Sequence, residues 1–273
     1  MRALTSGQVG WVKEPWELNL MRAAGRKLAE VSAEVRERVR IGVTTLELDA
    51  IAEAAIRRVG AAPCFKGYVV GDSVPFPASI CASPNQVVVH GIPDERPLVD
   101  GDLLSIDLGL VAGGYHADCA FSVALGTAKP RVTRLLDATE RSMYEGVARA
   151  LAGNHIGDIG HAIESFIRTH RFGIVADFVG HGIGRRMHES PSVPNYGVAG
   201  KGHLLHAGMC LAIEPMITLG TDQTEILDDG WTVVTADGSL AAHFEHTVAI
   251  TSKGPEILTV LEGDNPLSRF GIV

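Results

Sequence analysis

Two histidines and four carboxylates stand in a local pattern that occurs twice. "HGIP" at His90 is followed by Gly101 and, six residues on, by Asp107; "HAD" then ends in Asp118. "HGIG" at His181 is followed by Gly208 and, six residues on, by Glu214; "HFE" then ends in Glu245. The separations between landmarks differ, but their order and local grammar match. Asp107 in "LSIDLGL" and Glu214 in "CLAIEPM" are acids inside apolar strand patterns. A carboxylate there is expensive to desolvate unless it is paired, hydrogen-bonded or bound to a metal. Taken singly, each acid is more often a surface group or an ion-pair partner. Four of them, placed alike in two halves with a glycine-flanked histidine, point to one shared metal site.

The donor set is rich in oxygen, has one or two imidazoles and no thiol. That suits Mn(II), Fe(II), Co(II) or a pair of zinc ions better than a structural zinc site. Carboxylates also bridge ions, and two ions about 3.5 to 4 Å apart share a hydroxide nucleophile and stabilise a tetrahedral intermediate. Binuclear hydrolysis is the chemistry this set predicts. In "VGHGIGRRMHES", Gly180, Gly182 and Gly184 surround His181. Glycine permits positive φ and close approach of other groups, so the imidazole is presented rather than shielded.

The elements that must carry these residues also come twice. From Pro15, "PWELNLMRAAGRKLAEVSAEVRERV" places Leu18, Met21, Ala24, Leu28 and Val31 at helical spacing, and Gly42 stops it. Thr44 or Thr45 caps a second helix ending at Gly60. Short β-rich runs follow: "SICAS", "QVVVHGI" and "DLLSIDLGLVAGGYHADCAFSVALG". Then "RVTRLLDATERSMYEGVARALAG" and "GDIGHAIESFIRTHRFG" read as helices, and "IVADFVG", "GMCLAIEPMIT", "WTVVTADG" and "AAHFEHTVAIT" as strands. A duplicated α+β unit is expected, with repeats at about 15–128 and 129–258 inside one catalytic domain, 15–273, behind an N-terminal extension, 1–14.

The 273 residues suffice for a large core, and 46% hydrophobic with 21% charged residues is an ordinary globular balance. A net charge of -8 argues against a general electrostatic hold on nucleic acid or an anionic membrane. Cys64, Cys81, Cys119 and Cys210 form no C-x-x-C pair, so free thiols in a reducing compartment are expected. The first twenty residues lack the apolar core of a signal peptide, and no run approaches 18 apolar residues, which fits a cytoplasmic protein.

In order and in most of their spacing, "HGIP", "SIDLG", "HADCAFS", "GHGIGRRMHESP", "AIEPM" and "DGWTVVTADGSLAAHFEHT" resemble type I methionine aminopeptidases. The likeness runs from about Pro15 to Leu258. It implies the α/β pita-bread fold, of α+β type, with pseudo-two-fold symmetry around a curved antiparallel sheet. It implies two divalent ions, Co, Mn, Fe or Zn, on Asp107, Asp118, His181, Glu214 and Glu245, with Asp118 and Glu245 bridging, Asp107 chelating one ion, and His181 and Glu214 holding the other. It makes Glu214 the proton shuttle, His188 the donor to the scissile carbonyl, and His90 a group beside the leaving amine or substrate. Phe65, Tyr68, Phe76, Cys81, Met187 and Trp231 match the methionine pocket, where aromatic faces and a thiol suit a thioether.

The implied activity is removal of initiator methionine when the next residue is small, by a monomer acting on nascent chains at the ribosome. Two departures bear on the pocket. "FKGYVVGDSVPFPASIC" carries about five more residues between Tyr68 and Phe76 than usual, and Met187 stands where an aromatic is common. Proline peptidases of the same fold use the same five ligands but usually carry an added N-terminal domain. Relatives that have become binding modules lose ligands, and here all five are kept. The 25 residues between His188 and Glu214 leave no room for the helical insertion of type II enzymes.

Overall fold

The computed structural model describes residues 11–71 and 73–272, so the first ten residues of the expected N-terminal extension lie outside it. Helix α1, Pro15–Arg38, buries Met21, Ala24, Leu28, Val31 and Val35, and helix α2 spans Thr45–Arg58. Of the two threonines that could cap α2, Thr44 does so. Its hydroxyl accepts the Glu47 N–H at 3.0 Å and the Glu47 carboxylate accepts the Thr44 N–H at 2.8 Å. A capping box of this kind contributes about 1 kcal/mol. Helices α3, Pro130–Val147, and α4, Ile156–Arg168, form the corresponding pair of the second half, and a short α5, Pro266–Arg269, follows.

The strands of the first half are β1 (Ala62–Pro63), β2 (Ile80–Pro84), β3 (Val87–Val89), β4 (Leu103–Ala112) and β5 (Tyr115–Ala124). Those of the second are β6 (Gly173–Ile174), β7 (Gly180–Gly182), β8 (Glu189–Val193), β9 (Cys210–Ile213), β10 (Met216–Thr218), β11 (Thr224–Ile226), β12 (Val233–Thr235), β13 (Ala241–His243), β14 (Glu245–Thr251) and β15 (Gly254–Ile257). The main sheet is antiparallel in the order β1-β4-β5-β14-β9-β7-β8, with β2 on β4 and β15 on β14. Two three-stranded sheets, β13-β10-β6 and β11-β12-β3, complete the fold.

Three strand expectations need correction. "IVADFVG" is not one strand: only Gly173–Ile174 and Gly180 pair, and the residues between run outside the sheets. "WTVVTADG" contributes only Val233–Thr235. β8, β11 and β15 were not anticipated: β11 and β15 show no alternation of burial, and β8, which does alternate, is a short polar run interrupted by Pro191.

The halves meet in the main sheet where β14, paired with β9 along one edge, takes β5 along the other, through the register pairs Glu245 with Ala120 and His246 with Cys119. Thr247 sits where the two strands diverge. Its hydroxyl accepts the Asp118 N–H at 3.0 Å and donates to the Asp118 carbonyl at 2.9 Å, replacing ladder bonds that the divergence removes. Alternation assigns the two faces of this seam different work. Cys119, Phe121 and His246 turn toward α1 and α3: Tyr144 Oη lies 3.0 Å from His246 Nε2, and Arg36 stacks 4.6 Å from the Phe121 ring. Leu28, Val31, Val35, Ile106, Met143 and Val248 belong to the core on that side. Asp118, Ala120 and Glu245 turn the other way.

Candidate metal centre

Register brings the acids together. Asp107 pairs with Ala120, Asp118 with Gly109, and Glu245 again with Ala120. Paired residues share a face, as do residues two apart on a strand, so the three carboxyls surround the small Ala120 side chain on one face. His181 pairs with Ala212, which pairs with Thr247, two residues from Glu245; Glu214 follows two residues after Ala212. All five expected ligands therefore emerge on the face away from the helices.

Asp118, His181 and Glu245 each offer an atom within 4.8 Å of the other two, and all three are buried. His181 Nε2 lies 3.6 Å from Glu214 Oε1 and 3.9 Å from Asp118 Oδ2. Asp107 stands near Asp118, and its charge adds to the upward push on that carboxyl. Asp107 Oδ1, Asp118 Oδ1 and Glu245 Oε1 are buried with no hydrogen-bond partner. Burial raises the Asp107 carboxyl to about 6, and burial followed by neighbouring carboxylates pushes Asp118 and Glu245 well up. Like charges out of water with unpaired oxygens are the electrostatic character of a cation-binding site.

Glu214 differs. Burial pushes its carboxyl up, but His243, His181 and His188 together outweigh it and hold the group below its ordinary range. His243 Nε2 is 3.6 Å from Glu214 Oε2, and the Asn195 amide donates to the Glu214 carbonyl at 3.1 Å. Neither was singled out from sequence. His243 begins the "HFE" pattern and was visible there; a buried Asn far along the chain carries no such signal.

The glycines around His181 act by close approach alone. His181 is the middle residue of strand β7 rather than part of a turn, and neither Gly180 nor Gly182 has positive φ. A Cβ on Gly180 would meet the Ala212 carbonyl oxygen at 2.3 Å, and one on Gly182 the Ser190 oxygen at 2.3 Å. They let the flanking strands close on the histidine.

A cavity of about 120 Å³ opens onto these groups, and every expected pocket residue lines it: Phe65, Tyr68, Phe76, Cys81, Met187 and Trp231, together with His90 and His188. The His188 ring lies 4.2 Å from that of His181, and its Nδ1 is 2.7 Å from the Tyr68 hydroxyl. Burial, and then the neighbouring His181, brings His188 down to about 4; burial does the same to His90. His90 has φ of 58°, a left-handed conformation costing about 1–3 kcal/mol, and packs edge-on against Phe178 and Trp231. Cys64, not expected in the pocket, faces Gly109 beside Phe65 and Met187. The longer segment after Tyr68 is tied down at its ends, since Gly67 donates to Phe76, Phe76 to Tyr68, and the Trp231 indole to the Val74 carbonyl at 2.8 Å.

The family model for metallopeptidase family M24 matches residues 19–252. A methionine aminopeptidase of Clostridium perfringens is 47% identical over 251 residues, 92% of this chain and 99% of that protein. The crystal structure of methionine aminopeptidase from Rickettsia prowazekii aligns with a TM-score of 0.88 at 38% identity, covering 91% of this chain and 99% of that one. Prolidase from Pyrococcus furiosus aligns with a TM-score of 0.75 at 20% identity, over 94% of this chain and 67% of that one, a likeness of fold. The architecture is the pita-bread fold. With the family model spanning most of the sequence and a relative nearly half identical along almost its whole length, this chain belongs to metallopeptidase family M24.

Proposed function

We propose that the chain is a methionine aminopeptidase that removes the initiator methionine from nascent proteins and peptides when the second residue is small. The observation that carries this reading is the convergence of five ligand-type residues at the floor of a cavity walled by aromatic rings, the Cys81 thiol and Met187. Asp107, Asp118, His181, Glu214 and Glu245 would hold two divalent ions, and the orphaned oxygens on three of them fit that charge. Ions at this set supply Lewis acidity, lowering the pKa of water and polarising the scissile carbonyl.

The chain's own groups do the rest. Glu214, whose pKa its buried histidine contacts, His243 first, hold below the ordinary range, accepts a proton from the attacking water and passes it to the leaving amine. Tyr68 keeps its hydroxyl proton, its pKa raised by burial, and as donor to His188 Nδ1 it would leave the proton of the neutral imidazole on Nε2, ready to donate to the scissile carbonyl. His90, neutral and buried, stands beside the leaving amine. The cavity is well below the roughly 300 Å³ at which drug-sized sites begin, so it admits one side chain rather than a length of peptide.

The same reading takes residues 15–273 as one catalytic unit, monomeric, cytoplasmic and acting on chain N-termini at the ribosome. The charge of -8 supports no nucleic-acid binding of its own, and among the described residues no helix is long and apolar enough to cross a membrane. The test is methionine release from Met-Ala-Ser by chelator-stripped protein titrated with Mn(II), Co(II), Fe(II) and Zn(II). Metal-dependent release supports the reading and ranks the ions. Cleavage of X-Pro peptides without release from Met-Ala-Ser would make the chain a proline peptidase instead, and binding of a macromolecule with no turnover would make it a binding module.

A further inference from the structure

Glu189 follows His188 directly, and both of its carboxylate oxygens are engaged. Oε1 accepts the Arg186 N–H at 3.1 Å, closing the turn that carries Met187 and His188, and Oε2 takes the Lys13 ammonium at 2.7 Å. The two side chains are only 5% and 9% exposed. Two charges removed from water this far gain little net stability from each other, and an apolar pair of similar volume often does as well. What the pair supplies is a fixed position.

Lys13 is itself anchored on the second half of the molecule. Its N–H donates to the Gly208 carbonyl at 2.8 Å, and Val12 bridges Met209, the residue before β9. Gly184 covers the pair: a Cβ there would meet Lys13 Cε at 2.5 Å and Glu189 Oε1 at 2.9 Å. A second tie lies one turn along α1, where Glu17 Oε1 accepts from Arg185 Nη2 at 3.1 Å and from the Tyr115 hydroxyl at 2.5 Å. The segment from Gly184 to Glu189 is thus held from outside by the chain's N-terminal part, while Met187 and His188 line the cavity on its inner side.

We propose that Lys13 and Glu189 are positioning residues for the peptidase reaction, holding the turn so that Met187 walls the methionine cavity and His188 meets the scissile carbonyl. The inference rests on the role given to His188 above. It assigns work to Lys13, outside both repeats: the segment before α1 sets the geometry of a group far away in sequence.

The test compares wild type, Lys13→Met, Lys13→Arg, Glu189→Gln and the reversed pair Lys13→Glu with Glu189→Lys, all zinc-loaded. Kinetics on Met-Ala-Ser are read beside zinc affinity, Tm and the His188 imidazole N–H resonance. Lys13→Met and Glu189→Gln should lower kcat by roughly tenfold to a hundredfold, the scale of a small misplacement, with a smaller change in KM. Zinc affinity should be unchanged, the His188 signal should broaden, and Lys13→Arg should restore both rate and signal. Glu189→Gln keeps its bond to Arg186 N–H and its volume, so it tests the charge contact even if Lys13→Met fails to fold. Wild-type kcat and His188 signal in both single variants would overturn the proposal. So would losses that track Tm and zinc affinity and are not recovered by Lys13→Arg. If wild type itself releases no methionine, the peptidase reading fails, and the His188 resonance still decides whether the pair positions that ring.

Discussion

The Tyr68 hydroxyl lies 2.7 Å from Nδ1 of His188, joining the pocket wall of the first half to the catalytic loop of the second. This contact selects the tautomer of a histidine that is neutral above about pH 4. Tyr68→Phe should therefore lower kcat for Met-Ala-Ser about tenfold, the value of one hydrogen bond of roughly 1–1.5 kcal/mol, with little change in metal affinity. Steady-state kinetics with a parallel metal titration check it, and an unchanged kcat would remove Tyr68 from the tautomer argument.

Glu214 is the acid among the five whose surroundings favour ionisation, so its chemistry is separable from ligand binding. Glu214→Gln should lower kcat by at least about a hundredfold, within the range for a lost general base. Asp118 and His181 remain close to Glu245 in that variant and should still bind a divalent ion. Calorimetric titration with Mn(II) beside methionine release distinguishes this from loss of the whole centre.

Metal-free protein should lose stability as pH rises above about 6.5, the ordinary histidine pKa. Asp118 and Glu245 have folded pKa values raised well above the carboxylate range by burial and then by neighbouring carboxylates, so the folded chain keeps protons that the unfolded chain has released. Each such proton lowers unfolding free energy by about 1.4 kcal/mol per pH unit. Below about 6.5 the trend is masked. His90, His188 and His246, lowered to about 4, make stability rise with pH there, while Asp107, raised to about 6, opposes them. Thermal melts across this range should slope down without metal and flatten with saturating Mn(II); a flat metal-free profile would contradict the assigned shifts.

Gly182→Ala places a Cβ 2.3 Å from the Ser190 carbonyl oxygen and 2.7 Å from its carbon. Both are backbone atoms, so β7 and β8 must part. Overpacking of this kind costs about 1–3 kcal/mol, and the melt should shift down by several degrees, about 2–4 °C per kcal/mol for a chain of this size. Gly238→Ala is the contrast: its open surroundings leave strain at φ of 70° as the only cost.

The four long helices were legible because their apolar residues recur at helical spacing, and α2 is in addition capped locally by Thr44 with Glu47. The five ligand-type residues were legible because a carboxylate in an apolar strand contradicts its surroundings. The short strands were not. β11 and β15 bury little and show no alternation, although each pairs with a neighbouring strand, β12 and β14, and "IVADFVG" has β composition but no neighbour along most of its length. Cys64, Asn195 and the Lys13–Glu189 pair escaped for another reason: each gains its meaning from a contact across the fold, and nothing in its own neighbourhood marks it.

In the main sheet the two repeats touch through only two register pairs at the β5–β14 seam. The candidate ligands lie on both sides of it, Asp107 and Asp118 on one and His181, Glu214 and Glu245 on the other. A cation held there would act as a rivet between half-molecules. Its removal should then register in the cooperativity of unfolding, with the halves beginning to melt apart as separate units.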